Sequence, residues 1–222
     1  YTTLFRSPNI HVIMILTDLT VKGFLAETAG QEPVPGGGSI SALNGSIAAA
    51  LAEMVANLTI GKKKYVEVEA EMQTIATEAA AIQKELVLDI DRDSDAYNKV
   101  FAAFKLPKET EEEKAVRSAQ IQEMTKYAAS VPMEVARRVH SLLPLIEAVV
   151  AKGNQNAITD GCVAMMCART AIIGALLNVR INLTSIKDED FVKTHTEEAN
   201  AIEADAIRRE AEILAITKKA CE

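Results

Sequence analysis

The chain has little aromatic content: its 222 residues include no tryptophan, four tyrosines and five phenylalanines, which is 4% aromatic in total. Hydrophobic residues nevertheless make up 49% of the sequence, and many of them are alanine. A core with so few rings must be filled by small and aliphatic side chains, which suits helices that pack at short distances. The composition therefore indicates closely packed helices.

Cysteine and positive charge are also scarce. Cys162, Cys167 and Cys221 form no Cys-x-x-Cys pair, and their odd number argues against a disulfide framework and favours a reducing, cytoplasmic location. The 24 lysines and arginines are outnumbered by 31 acidic residues, and the net charge of −7 argues against nucleic acid as a partner. His140 and His195 belong to no paired metal-binding motif, so no metal site is predicted.

Long uninterrupted apolar runs are rare too. The run from Ile40 to Ile60 has the length of a membrane span, but Asn44 and Glu53 interrupt it, so a buried core helix and no membrane partner are predicted. Residues 1–15 carry no readable pattern and are taken as a disordered or vector-derived lead. No break in composition divides the rest, so residues 1–222 are predicted to form a single domain.

Apolar residues recur at a period of about 3.6 along nearly the whole chain. The prediction is an all-α, up-and-down-like bundle of about six helices, beginning near residues 20, 40, 65, 110, 159 and 188. Two of these helices, 40–61 and 159–183, are apolar on most sides, which predicts that the bundle dimerises through them.

Local signals predict how several helices begin and end. Three residues are predicted N-caps: Thr20, Ser39 and, in a capping box with Glu113, Thr110. Three residues of the first helix are predicted to face inward: Val21, Phe24 and Leu25. Pro132 and Pro144 predict a kink or a short break in the fourth helix, and Gly153 predicts its end.

The segment Pro33–Ser39 combines two prolines, which fix φ, with three glycines, which permit any φ. A glycine loop that opens a helix leaves N–H groups uncovered, where an anion can bind. The alternative is a tight turn that lets a helix pack closely on its neighbour. The candidate binding residues of this segment are Gly36, Gly37, Gly38 and Ser39.

Four carboxylates lie within the seven residues from Asp89 to Asp95. On a helix, Asp93 falls on the apolar stripe formed by Leu86, Ile90, Tyr97 and Phe101. A carboxylate there costs free energy unless it is paired or protonated, so a shifted pKa suited to acid–base catalysis is expected. Asp91 and Asp95 share a neighbouring face, for which a solvated role is the alternative.

Other polar residues also lie on apolar helices. Asp160 lies on the inward line of the helix 159–183, where it is also a plausible N-cap. Asn178 and Asn182 are four residues apart on that helix and would present their amides to one spot, toward neighbouring groups or a polar ligand. Lys62 and Lys63 belong to a basic trio that is either a helix end or an anion site.

Seven segments in this order resemble the cyclodeaminase/cyclohydrolase family of folate enzymes, over residues 20–214. The segments are Leu19–Leu25, Pro35–Ser39, Gly61–Tyr65, Asp91–Tyr97, Lys105–Glu113, Gly153–Asp160 and Asn178–Leu183. One departure is Gly23, where similar sequences often carry glutamate. The resemblance implies an all-helical homodimer that binds folate near the subunit interface and is not fused to a formimidoyltransferase, which would be a separate partner.

The resemblance also implies a reaction. The expected activity is conversion of 5-formimidoyltetrahydrofolate to 5,10-methenyltetrahydrofolate with release of ammonia; the alternatives are a methenyltetrahydrofolate cyclohydrolase and, remotely, a non-catalytic folate-binding dimer. Asp93 and then Asp91 are the expected acid–base groups, and Asp160 is expected to stabilise the cation. Gly36–Ser39 would hold the pterin, Lys62 and Lys63 the glutamyl tail, and no cofactor beyond the folate substrate is expected.

Overall fold

The computed structural model describes residues 14–222, which contain six α-helices and no strand. The helices are α1 (Val21–Thr28), α2 (Gly37–Thr59), α3 (Glu69–Phe104), α4 (Glu111–Lys152), α5 (Ile158–Leu183) and α6 (Glu189–Ala220). Short 3-10 turns cover Leu16–Asp18, Lys63–Val68 and Gln155–Ala157. The all-α prediction with six helices is confirmed. The predicted lead at residues 1–15 lies almost entirely outside the described residues.

The helices form a bundle in which successive long helices run in opposite directions. α2 packs against α3 and α5, α4 packs against the same two helices, and α6 covers α4 and α5. The start of α2 meets the end of α5, since a Cβ on Gly37 would lie 3.4 Å from Asn178 Nδ2. At the other end of α2, the Thr59 hydroxyl accepts a hydrogen bond from the Asn154 N–H at 2.9 Å, just before α5.

Small residues allow the central helices to approach each other. A Cβ on Gly45 of α2 would lie 2.6 Å from Val139 Cγ2 of α4, and one on Gly161 of α5 would lie 2.6 Å from Val150 Cγ2. Side chains of the neighbouring helix therefore fill the space above both glycines. α2 and α5 are apolar and long enough to resemble membrane spans, but both contribute many fully buried residues to the centre of the bundle.

The predicted helix ends are largely confirmed. The Thr20 hydroxyl accepts from the Gly23 N–H at 3.0 Å, so this cap does not need the glutamate that similar sequences carry at position 23. Thr110 and Glu113 form the reciprocal capping box, and Gly153 caps the end of α4. The third helix begins later than predicted, because residues 63–68 form a 3-10 turn before α3.

Two predicted inward positions are wrong. Val21 and Leu25 are 78% and 60% exposed, because the two-turn α1 lies on the surface and buries only Phe24. The short break that the prolines allowed does not occur, since α4 includes both of them, and the kink stays a prediction. Pro132 has no N–H to donate to the carbonyl of Ala128, four residues earlier, and the Asn182 side chain of α5 donates to that oxygen instead (3.3 Å).

Candidate active site

A cavity of about 340 Å³ lies where the loop before α2, the start of α2, the C-terminal part of α3 and the end of α5 meet. Its wall includes five residues of the predicted binding set: Gly36, Gly37, Gly38, Asn178 and Asn182. The remaining wall residues are Pro33, Val34, Asp93, Ala96, Tyr97, Val100, Ala128 and Ile181. Asp93 is the one carboxylate among these lining residues.

The N-terminus of α2 forms one side of the cavity. Gly36 is the N-cap and offers no side chain, so the first N–H groups of α2 find no cap within their own segment. The prediction that Ser39 is the N-cap is wrong: it is the third residue of the helix and fully buried. Its hydroxyl donates to the main-chain oxygen of Ile90 at 2.8 Å and lies 3.3 Å from Asp93 Oδ2.

Asp93 lies beside this uncapped helix start. Its carboxylate lies against Gly38 and within 3.3 Å of the Ser39 hydroxyl, so an acidic side chain from α3 adjoins the positive end of α2. Burial raises the pKa of Asp93, the hydrogen bonds from Ser39 partly oppose this, and the negative charge of Asp89 raises it further. Asp93 is thus a half-buried carboxyl group with a raised pKa on the wall of a ligand-sized cavity.

Gly38 is required for this arrangement. A Cβ on Gly38 would overlap the carboxylate of Asp93, so only glycine allows the helix start and the acid to lie this close. The last glycine of the Gly36–Gly38 segment therefore serves a close approach between two helices and, at the same time, leaves N–H groups facing the cavity.

Asn178 and Asn182 lie together on the part of the wall that α5 forms. The Asn178 amide donates to the Gly174 carbonyl at 2.8 Å, and the Asn182 amide donates to the Asn178 carbonyl at 2.9 Å. Both amide nitrogens are thereby held by the backbone of α5. Within residues 14–222 no donor reaches either amide oxygen, so both oxygens are available to accept N–H groups of a ligand.

A buried charge network lies one helical turn before Asp93. Asp89 is 2% exposed and pairs with Arg138 and with Arg92 (3.3 Å), and Glu134 bridges to both arginines. Burial raises the pKa of Asp89, and the two arginines lower it again. Sequence reasoning missed this network because it joins two helices: Asp89 and Arg92 lie on α3, and Glu134 and Arg138 lie on α4.

The comparison with known proteins decides the family. A sequence model of the family described as Formiminotransferase-cyclodeaminase matches residues 20–201. The chain belongs to this family. The resemblance found from the motifs is confirmed.

Relatives of two kinds occur in the family. A methenyltetrahydrofolate cyclohydrolase of Methylorubrum extorquens is 41% identical over 84% of this chain and 90% of its own length. The formimidoyltransferase-cyclodeaminase of Mus musculus is 34% identical over 81% of this chain, which spans about a third (34%) of that protein. The crystal structure of a formiminotetrahydrofolate cyclodeaminase from Thermotoga maritima has a TM-score of 0.83 and 33% identity, over 92% of this chain and 98% of that one.

Asp91, predicted as the second acid–base group, lies outside the cavity. Its carboxylate accepts hydrogen bonds from the Leu16 N–H at 2.6 Å and from the Thr17 hydroxyl at 2.9 Å. It thereby caps the 3-10 turn Leu16–Asp18 and holds this segment against α3. These contacts give Asp91 a structural role. Asp95 is exposed and pairs with Lys99 at 2.8 Å, in line with the solvated alternative.

Three further predicted site residues lie at the opposite end of the bundle. Lys62 and Lys63 follow the 23-residue α2, whose length of about 35 Å separates them from Gly36–Ser39. Asp160 is in the first turn of α5, about 27 Å along that helix from Asn178, and it is not the N-cap, which is Ala157. One subunit therefore does not bring these three residues to the cavity.

Tyr97 and Ile181 are exposed wall residues that were not predicted as binding residues. Tyr97 was assigned to the inward stripe of α3, but it is 43% exposed and lies at the cavity edge. Ile181 is 66% exposed and forms the wall of α5. Both residues recur at the helical spacing typical of core positions, so the sequence pattern does not separate them from buried residues. Only their location near the end of the bundle, which the structure gives, identifies them as wall residues.

Proposed function

We propose that this chain is a folate one-carbon enzyme, a formimidoyltetrahydrofolate cyclodeaminase that makes 5,10-methenyltetrahydrofolate and ammonia. The observation that carries the proposal is the Asp93 carboxyl group, half-buried beside the first turn of α2 within the cavity. The names of the family relatives agree with this chemistry. The substrate is a tetrahydrofolate derivative, and no further cofactor is required for the reaction.

The pterin ring offers N–H donors and ring acceptors, which match the two sides of the cavity. The amide oxygens of Asn178 and Asn182 can accept from the pterin N–H groups. The first N–H groups of α2, at Gly37 and Gly38, can donate to pterin oxygen or nitrogen. Val34 and Ile181 supply apolar surface for the faces of the ring.

The reaction needs a group that moves a proton between two substrate nitrogens. N10 attacks the formimidoyl carbon, and the carboxylate of Asp93 accepts the N10 proton as the new C–N bond forms. The same group then donates that proton to the formimidoyl nitrogen. With a second proton from solvent, that nitrogen leaves as ammonia when its bond to carbon breaks. The raised pKa of Asp93 makes its carboxylate a better base for the N10 proton than an ordinary aspartate would be.

In this proposal Asp93 alone performs the acid–base and cation-stabilising roles that were predicted from the sequence for Asp93, Asp91 and Asp160. After ammonia leaves, Asp93 is again ionised and faces the delocalised methenyl cation, which it stabilises electrostatically. The Ser39 hydroxyl, which donates to Asp93 Oδ2 at 3.3 Å, helps to hold the carboxylate in place. Asp91 and Asp160 have no part in this proposal within one subunit.

The second candidate is methenyltetrahydrofolate cyclohydrolase, in which water attacks the methenyl carbon and 10-formyltetrahydrofolate forms. It is favoured by the Methylorubrum relative, which is 41% identical and aligned over 90% of its own length. The same cavity could serve here, because Asp93 would accept a proton from the attacking water and both reactions share the methenyl compound.

Two assays on the purified chain distinguish these reactions. Ammonia release from 5-formimidoyltetrahydrofolate supports the cyclodeaminase, and loss of methenyl absorbance without added ammonia supports the cyclohydrolase. Asp93→Asn should lower kcat in the active assay by at least about 100-fold. Asp95→Asn, an exposed neighbour on the same helix, is the matched control and should retain kcat. Activity of Asp93→Asn near that of the wild type would contradict the proposal.

We also propose that the chain forms a homodimer through α2 and α5, with any formimidoyltransferase as a separate partner. Seven apolar residues of these adjacent helices are at least 36% exposed: Ile47, Met54, Leu58, Val163, Met166, Leu177 and Ile181. Arg169 and Arg180 of α5 turn away from this face and pair with Glu210 and Glu203 of α6. An uncharged surface of this kind suits a second copy of itself. Leu177→Glu should convert a dimer to monomers in sedimentation, whereas monomeric wild type would contradict the proposal.

A further inference from the structure

We propose that Tyr97, Phe101 and Lys105, here called the α3 track, bind the aminobenzoyl-glutamate part of the folate substrate. The proposal rests on the proposed function, since it assigns the portion of folate that extends beyond the pterin. It concerns a surface that begins at the cavity wall and continues along the outside of α3.

The cavity by itself is too small for a whole folate. Its volume of about 340 Å³ is at the lower end of the range for ligand sites, roughly 300–1,000 Å³. A bicyclic pterin fits such a space, and the aminobenzoyl ring and the glutamate must then lie outside it. Tyr97 is the wall residue at which the cavity meets the exposed surface of α3.

The next residue of the α3 track, Phe101, adds a second exposed aromatic ring beside Tyr97. The rings of Tyr97 and Phe101 are stacked, with centroids 6.4 Å apart and an angle of 13° between their planes. Phe101 is 51% exposed, so the packing of the bundle does not account for its position. An aromatic ring that leaves the cavity beside Tyr97 can stack on this surface.

Lys105 supplies a positive charge at the far end of the α3 track. It follows α3 directly, eight residues after Tyr97 or about 12 Å along the helix axis, and its Nζ lies 4.1 Å from the centre of the Phe101 ring. No carboxylate within residues 14–222 forms a salt bridge with Lys105. The nearby lysine Lys99, by contrast, is paired with Asp95. Lys105 is therefore available for the carboxylates of a glutamyl group.

The acidic start of α4 does not occupy Lys105. The Glu113 carboxylate accepts from the N–H groups of Glu109 and Thr110 in the capping box, and Glu111 pairs with Lys114 at 2.7 Å. The α3 track thus has the order that folate requires: a polar cavity, then an aromatic surface, then a cation. In this proposal Lys105 binds the glutamyl tail, a role that was predicted from the sequence for Lys62 and Lys63, which lie at the other end of α2.

The test measures binding of two ligands to the full chain by calorimetry: tetrahydrofolate, and tetrahydropteroate, which has the same rings but no glutamate. Lys105→Gln should weaken tetrahydrofolate binding about fivefold and leave tetrahydropteroate binding unchanged. Phe101→Leu should weaken both ligands about fivefold. The matched controls are Lys84→Gln, an exposed lysine earlier on α3, and Phe104→Leu, which is also 51% exposed but lies under Arg117 of α4. Neither control should change binding.

Several results would overturn the proposal. These are an unchanged tetrahydrofolate affinity in Lys105→Gln, an equal loss for both ligands in that variant, or an effect of Phe104→Leu equal to that of Phe101→Leu. A changed sedimentation coefficient in Phe101→Leu would assign the surface to contact between copies of the chain instead. Because binding is measured without turnover, a wild type that binds both ligands but is inactive rejects the proposed function and retains the α3 track. A wild type that is active, with Lys105→Gln binding tetrahydrofolate as tightly as the wild type, retains the proposed function and rejects the α3 track.

Discussion

The main chain of Gly38 lies directly against the carboxylate of Asp93, so that the start of one helix and an acid on another share a space that no Cβ could enter. The contact is made between residues more than fifty positions apart in sequence. It places the acid beside the first-turn N–H groups of α2, where a negative charge is favoured. This relationship explains why a glycine segment and an aspartate on an apolar stripe occur in the same chain.

Gly38→Ala is expected to destabilise the chain by about 1–3 kcal/mol, because the added methyl group forces apart Asp93 and the start of α2. Urea unfolding measures this loss. The double variant Gly38→Ala/Asp93→Ala removes the colliding carboxylate and should show no further loss relative to Asp93→Ala alone. Gly37→Ala is the control, since its Cβ would meet only Asn178 Nδ2 at 3.4 Å. An equal cost of Gly38→Ala in both backgrounds would contradict the proposed collision.

Asp93→Asn is expected to change how stability depends on pH. The pKa of Asp93 is raised from its ordinary value of 3.8, so the folded chain holds this proton more tightly than the unfolded chain does. Stability is therefore lost as pH rises from that value through the folded-state pKa. The variant avoids this loss, so it should be more stable than the wild type at pH 7, and the difference should shrink as pH falls towards 4.

Urea unfolding at several pH values checks this expectation. The control variant Asp95→Asn removes an exposed ion pair and should change the free energy of unfolding by less than about 0.5 kcal/mol. A stability difference between Asp93→Asn and the wild type that is constant from pH 4 to pH 8 would show that the folded state does not perturb this carboxyl group.

Features that depend on neighbouring residues were predictable from the sequence. The position of Asp93 between Ile90 and Tyr97 follows from helical spacing alone, and Thr20 and Thr110 cap the helices that they directly precede. Asn178 and Asn182 reach the same cavity wall because residues four apart share a helix face.

Features that depend on distant partners were not predictable. Serine is a residue type that often caps helices, so Ser39 was predicted to be the N-cap. The polar side chain beside the start of α2 is instead that of Asp93, 54 residues away in sequence. Lys62 was assigned to the same site as Gly36 by the family resemblance, although the helix predicted between the two already separates them within one chain. Phe101 is exposed because α3, with 36 residues, extends beyond the shorter helices that could cover it.

Arg138→Met is expected to destabilise the chain by about 3 kcal/mol. It leaves the carboxylate of Asp89, which is 2% exposed, with Arg92 as its remaining cation at 3.3 Å. The double variant Asp89→Leu/Arg138→Met replaces the pair with apolar groups and should recover most of that loss. Urea unfolding of the two single variants and the double variant gives the coupling. Additive losses would mean that the two side chains do not act as a buried pair.

Asp91→Ala tests whether Asp91 has only a structural role, in contrast to Asp93, the proposed acid–base group. The variant removes the acceptor of the Leu16 N–H and of the Thr17 hydroxyl, so the 3-10 turn should detach from α3 and the free energy of unfolding should fall by about 1–2 kcal/mol. Because these contacts lie outside the cavity, kcat should stay within about twofold of the wild type at temperatures where the variant is folded. Steady-state kinetics alongside thermal unfolding checks both parts. A folded variant whose kcat falls by 100-fold would return Asp91 to the reaction and require a second acid near Asp93.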